Sequence, residues 1–337
     1  MDSSGVHPQA NRFRTTIPAP LGADATARIT LPLPQPSNHI AWHYTDAAGL
    51  VGIAESGVFW ASSASSLNDP NELKYGRSVF EEALKVHEKS GTLSEREQSR
   101  LSQAITESAL EKASETIFLL SACKGEDVLN QWQHYAGVGG YALELDVHDS
   151  TWGKPPEIRP PAVYPEPPAF SFRGWYEVTY DRKEQLSLAS RMLTIMKQWT
   201  PEEDARAADI GNALASMRGL ALTLACCMKN PVFAVEQEVR YVAVTYDKSE
   251  VQFRAADFSV VPYLPVEWGK PKPYDSSNEV WPQPASTIRS VRLGPGVLAD
   301  AKRSVQRLLD KNVAPHRLLE NTPRPESLVS VSSIALR

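Results

Sequence analysis

The chain has 337 residues, 42% of them hydrophobic, and a formal charge of −5. That is enough apolar material for a buried core, which excludes a disordered chain, and the acidic balance excludes an overall positive field toward nucleic acid or an anionic membrane. The longest apolar stretch, Gly219 to Met228, spans ten residues, about half of the ~20 a membrane helix requires. The first residues, MDSSGVHPQANRFR, lack the charged-then-apolar layout of a secretory signal. Cys123, Cys226 and Cys227 form no disulfide framework, so a cytoplasmic protein is expected, without a membrane partner.

Proline punctuates the chain: 26 prolines stand against 18 glycines, and twenty of them fall within residues 8–36, 155–168 and 262–295. Residues 1–37 read as an arm, disordered or loosely packed, because proline blocks helix and central strand alike. One domain is expected over residues 38–337. It opens with a strand over His39 to Tyr44, a short helix carrying Leu50 and Ile53, a closing Gly57 and a strand with Phe59 and Trp60. In the run Asp69, Pro70, Asn71, Glu72, the aspartate fits an N-cap and the proline N1, which predicts a helix to about Glu88. Ser94 and Glu97 form a capping box for a second helix toward Glu115.

Strands follow over Thr116 to Ala122, Gly140 to Asp146 and Trp175 to Tyr180, with an irregular connection over 155–168. A second helical block runs from Arg182 to Met228, and Thr200, Pro201 and Glu203 repeat the cap signal within it. Strands over Val239 to Tyr246, Ser286 to Leu293 and Leu328 to Ser332 complete the pattern, around a second irregular connection over 262–295. Several strands lie too close together for βαβ units. An α+β fold with a split, mostly antiparallel sheet and helical insertions at 69–115 and 182–228 is expected.

The sharpest chemical constellation is VEQEVRYVAV, Val235 to Val244. In a strand Glu236, Glu238 and Arg240 project from one face about 7 Å apart, while Val239, Tyr241 and Ala243 point the other way. Carboxylates so placed can hold a ribose hydroxyl or stabilise an oxocarbenium ion; the same pattern also fits a solvated edge with an ion pair. His43, Tyr44 and Thr45 put polar groups at a strand end, where His and Thr can bond a carboxamide or ribose or serve structure alone. In SLNDPNE capping accounts for Asp69, Pro70 and Glu72 and leaves Asn68 unexplained. Beyond a strand-ending Ser121, the residues Gln131, Trp132 and Tyr135 lie on a short helix, with the two aromatics on one face as a platform or a core anchor.

No CxxC, HExxH, GxSxG, GxGxxG or phosphate loop is present, so no metal is expected, and the adjacent cysteines fit inert packing. Arg289 to Arg317 holds seven Lys or Arg and two Asp; Lys302, Arg303, Arg307 and Lys311 fall along one helix that can meet phosphates or simply face solvent.

Taken in order, HYT…GL..I..SG..WA, LNDP.E, QW..YA..GG.AL..D and KNPxFxxExExR resemble an uncharacterised bacterial domain family grouped with the ADP-ribosyltransferase fold. The likeness covers His39 onward. It implies a split antiparallel core with NAD, a substrate, in the cleft. His43 then matches the histidine contacting the adenosine ribose and nicotinamide amide, with Tyr44 and Thr45 beside it. Glu238 matches the glutamate that stabilises the oxocarbenium-like transition state, and Glu236 the residue that helps to activate the acceptor. Ser121 corresponds to the middle-strand serine, Trp132 or Tyr135 stacks on nicotinamide, and Asn68, Gln131 and Arg240 join the cofactor contacts.

The implied activity is mono-ADP-ribosylation of a protein or nucleic acid acceptor, or NAD hydrolysis in the same pocket, in a bacterial toxin or phage-defence effector. The rival is a non-catalytic module of the same fold that binds a nucleotide or a protein. A glycoside hydrolase using Glu236 and Glu238 fits less well, since carboxylates two apart on one strand do not flank a bond from opposite sides. The connections at 155–168 and 262–295 are expected to border the cleft.

Overall fold

The computed structural model describes residues 16–18, 28–66, 71–137, 139–148, 152, 172–200, 207–256, 259–268, 288–298, 300–312 and 328–334. A short antiparallel pair, β1 (Thr16–Pro18) and β2 (Arg28–Thr30), precedes the main body. The elements that build the body are β3 (Ile40–Thr45), α1 (Ala47–Ser56), β4 (Val58–Ser63), α2 (Asn71–Lys89), α3 (Glu95–Ala104), α4 (Glu107–Ser114) and β5 (Ile117–Cys123). They continue with α5 (Leu129–Gln131), running into a π-helical turn over Trp132–Ala136, then β6 (Tyr141–Asp146), β7 (Phe172–Glu177), α6 (Arg182–Met196) and α7 (Ala207–Ala225). The remainder is β8 (Glu238–Val244), β9 (Gln252–Ala256), β10 (Ser259–Glu267), β11 (Ile288–Leu293), α8 (Ala301–Asn312) and β12 (Val329–Val331).

The fold is mixed α+β. One sheet runs β12-β11-β6-β3-β5-β4-β10-β9, and β8 lies along the other edge of β5 with β7 beyond it. Every pairing in it is antiparallel except β11 with β12. Strand β5 is the junction. β8 pairs along its whole length, whereas its opposite edge is shared: Phe118 and Leu119 meet Ser63 and Ser62 of β4, and Cys123 meets Trp42 of β3. Between those contacts β3 and β4 part.

Alternation along β5 and β8 explains two cores. Phe118, Leu120, Val239, Tyr241 and Ala243 face one layer with Phe59, Trp152, Trp175, α1 and α8; Ile117, Leu119, Val242 and Val244 face the layer of α2, α3, α4, α6 and α7. Strand β8 is covered on both faces, and all seven of its residues are buried, the charged Glu238 and Arg240 included. Helix α2 approaches α7 closely through Gly76, where a Cβ atom would sit 2.7 Å from the Ala225 Cβ and 2.9 Å from its backbone.

Three expectations need correction. Residues 31–37 are not a loose arm: Leu31 and Leu33 are buried in the helical core, and Glu177 donates its N–H to the Pro34 carbonyl. The helix expected from Ser94 to Glu115 is two helices, because buried Ile105 ends the first and Thr106, extended at ψ 152°, restarts the chain. The capping box of Ser94 and Glu97 forms as expected. Within 262–295, Pro262 and Pro265 belong to β10, pairing Phe253 and Trp60; prolines are tolerated there because only the five-residue β9 separates the strand from the sheet edge. The 155–168 connection and the cap signal at Pro201 and Glu203 lie outside the described residues.

Candidate functional site

Three of the sequence-derived candidates meet where β3 and β4 diverge. Ser121 is the connection. Its carbonyl accepts a hydrogen bond from His43 Nδ1 at 2.8 Å, and its hydroxyl donates to Glu238 Oε1 at 2.5 Å. A carbonyl only accepts, so Nδ1 carries the proton, and the imidazole is in the Nδ1–H tautomer when neutral. Burial holds the His43 pKa below its ordinary value, outweighing the bond to Ser121. Nε2 is left as the lone-pair nitrogen, with the ring set edge-on to Phe59 at 5.5 Å. His43 shares the face of Ala41 and Phe59, whereas Ser121, Glu238 and Arg240 face the helical layer. The histidine and the glutamate therefore approach Ser121 from opposite sides of the sheet.

Glu238 sits in a buried ion cluster. Arg240 grips it through two parallel bonds, Nε to Oε1 and Nη2 to Oε2, each 2.7 Å. The same guanidinium donates Nη1 to Glu72 on the first turn of α2 and to the Cys226 carbonyl, the latter at 2.7 Å. The Lys229 ammonium stands among three carboxylates, 2.5 Å from Glu236, 3.3 Å from Glu238 and 3.8 Å from Glu72. All five side chains are buried. Burial alone would raise the Glu238 pKa, but Arg240 and Lys229 beside it and the bond from Ser121 hold it down to about 2. For Lys229, burial pulls downward and Glu238 and Glu236 prevail, so its pKa is raised and it stays protonated. With three carboxylates and two cations, the cluster has one negative charge in excess. Among the described residues no group of His, Cys, Asp and Glu is arranged to hold a metal ion.

Glu236 reaches this cluster by a route that alternation does not describe. It is the last residue of a 3-10 turn, Pro231–Glu236, capped by Asn230, and Gln237 then takes a left-handed conformation at φ 45° before β8 begins at Glu238. The expectation of one strand through Glu236, Glu238 and Arg240 is corrected accordingly. Pro231 favours the turn at its first position, and the left-handed residue reverses the chain so that both carboxylates reach one ammonium. Gln131 Nε2 ties the turn to α5 by donating to the Glu236 carbonyl at 3.1 Å. The Glu238 N–H donates to the Tyr180 hydroxyl at 3.0 Å.

The aromatic pair divides. Trp132 is fully buried with Tyr44 and Cys123, its Nε1 donating to Asp127 at 2.8 Å, so it is a core anchor and presents no face to a ligand. Tyr44 belongs to the same anchor, donating to the Gly125 carbonyl at 3.1 Å. Tyr135 is 45% exposed and near enough to Glu236 that the carboxylate, after burial, raises its pKa. The expected shared helix face is lost because the chain winds as a π-helical turn there. Thr45 lies against Gly49 at the start of α1, and Asn68 falls outside the described residues. Cys226 and Cys227 are buried just beyond α7, where burial pushes both thiols up, that of Cys227 to about 12.

A family model described as a protein of unknown function (DUF2971) matches residues 131–241. Over these residues the chain is similar to that family. The matched span contains Gln131, Lys229, Glu236, Glu238 and Arg240, and leaves out His43, Glu72 and Ser121. No curated protein and no solved structure matches the chain.

Two residues of the cluster, Glu72 and Lys229, are absent from the sequence-derived candidates. Glu72 is hidden by its helix-starting position, which accounts for a glutamate without any partner. Lys229 carried a usable signal: a lysine that ends the apolar run Gly219 to Met228 is drawn inside with it, and a buried ammonium requires carboxylates.

Proposed function

We propose that the chain cleaves the nicotinamide glycosidic bond of NAD and transfers ADP-ribose to an acceptor. The observation that carries this reading is the convergence of His43, Ser121 and Glu238, from three neighbouring strands, where β3 and β4 part along β5. Breaking the bond builds positive charge on the ribose. A carboxylate held at a pKa of about 2 is ionised near neutral pH and suits electrostatic stabilisation of that charge. It is unsuited to act as the general acid of a glycoside hydrolase, which needs a raised pKa. In this reading a ribose hydroxyl takes the place of Lys229 or Ser121 on Glu238, while Arg240 keeps the carboxylate oriented. Glu236, next to exposed Tyr135, serves the acceptor; when the acceptor is water the product is free ADP-ribose.

The bidentate grip of Arg240 favours a second reading. A carboxylate that already accepts from Arg240, Ser121 and Lys229 is also what a non-catalytic nucleotide- or protein-binding module would retain for stability. Single-turnover release of nicotinamide from NAD separates the two. Transfer or hydrolysis predicts release that falls at least about a hundredfold in Glu238→Gln. Equal release from the two proteins overturns the catalytic assignment, and NAD binding by calorimetry without release from the wild type supports the binding module.

A further inference from the structure

We propose that the outward face of α8 docks the phosphate backbone of duplex DNA. The helix is two-sided. Val305 and Leu309, one turn apart, are buried in the core layer that also holds α1, whereas Lys302, Arg303, Arg307 and Lys311 are exposed. Arg303, Arg307 and Lys311 follow one another at four-residue spacing, so they form a single stripe about 12 Å long on a rigid support.

These cations are free of carboxylates among the described residues. Other arginines are engaged: Arg173 with Glu250, Arg182 with Glu82, Arg289 with Asp146 and Arg292 with Glu126. The only acid within α8, Asp310, accepts a bond from Gln306 at 3.0 Å. Helix α1, which packs beside α8, carries a single acid, Glu55. In a chain whose net charge is −5, a stripe of this kind is a local reversal of sign, and such a reversal attracts a polyanion despite the overall charge.

Duplex DNA is the partner that the geometry favours. It offers a straight, stiff row of closely spaced phosphates, and a stiff row against three cations on one helix loses little freedom on binding. A membrane surface is a poorer match, because the apolar residues of α8 point inward and none remains to insert. Contacts of this kind read phosphates and carry no base information, so binding is expected to be independent of sequence.

Fluorescence anisotropy with a labelled 30-base-pair duplex at 50 mM salt tests it. The full-length wild type is expected to bind, and the triple variant R303E/R307E/K311E to bind at least about tenfold more weakly. The slope of log K against log salt should shrink by about 2.7, the share of three phosphate contacts. An unchanged far-UV spectrum and melting temperature would establish that the exposed substitutions left the fold intact. The proposal is overturned if the wild type does not bind, if the variant binds equally well, or if polyglutamate competes as effectively as unlabelled duplex.

Discussion

Arg240 and Glu238 are joined by two parallel hydrogen bonds of 2.7 Å, with the arginine 2% and the glutamate 6% exposed. Each is the other's main compensation for leaving water. Removing one partner strands a charge, which typically costs about 3–5 kcal/mol. Arg240→Met is therefore expected to lower the unfolding free energy by that amount in urea titrations. A loss below about 1 kcal/mol would mean that Lys229 alone sustains Glu238.

The same pairing sets a pH dependence. The folded pKa of Glu238 is held near 2 against an ordinary 4.5. A carboxyl whose folded pKa is depressed contributes stability that is complete above the unfolded value and drains away as pH falls toward the folded one. Urea midpoints should fall between about pH 4.5 and 2, and Glu238→Gln should flatten that part of the profile. A profile of identical shape in the variant would refute the assignment to Glu238.

His43 is expected to remain neutral at pH 7, with the proton on Nδ1, and to titrate below its ordinary 6.5. Nitrogen-detected NMR of the labelled imidazole distinguishes the tautomers directly. A protonated Nε2 with a bare Nδ1 would contradict the bond to Ser121. His43→Ala leaves the Ser121 carbonyl without that donor and should destabilise the protein by about 1–3 kcal/mol.

Gly76→Ala tests the packing that brings Glu72 to the cluster. The added methyl meets Ala225 backbone atoms at 2.9 Å, so α2 must shift away from α7. A loss of about 1–3 kcal/mol is expected. Because Arg240 bonds both Glu72 on α2 and Cys226 just beyond α7, any nicotinamide release should decline together with stability. A fully stable Gly76→Ala protein would show that the helices tolerate separation there.

Strands with β-branched or aromatic alternation between turn residues were legible in the sequence, and β3, β5, β6, β8, β11 and β12 stand within a few residues of where the pattern puts them. Strand β10 escaped because prolines at 262 and 265 read as a loop, an inference that holds for central strands and weakens beside an edge; β9 is short and mostly exposed, so it carries no apolar alternation to read. Glu238, Arg240 and Ser121 were legible as neighbours in kind. That Glu236 joins them through a left-handed Gln237 was not, since the pattern of polar residues at 236, 238 and 240 is the same for a strand as for a turn followed by one. The partition of Trp132 and Tyr135 depends on a local change of helical winding that spacing does not encode.

The shared edge of β5 has a consequence for how this chain acquires its structure. β3 and β4 are consecutive in sequence yet do not pair with each other; both wait for a strand that arrives only after three intervening helices. The junction is thus made of distant segments, the kind of contact that forms late and slowly. A growing polypeptide that has reached Ser66 holds β3 and β4 without the strand that comes to lie between them, and the place where His43, Ser121 and Glu238 meet comes into being only once β5 and β8 have both been added.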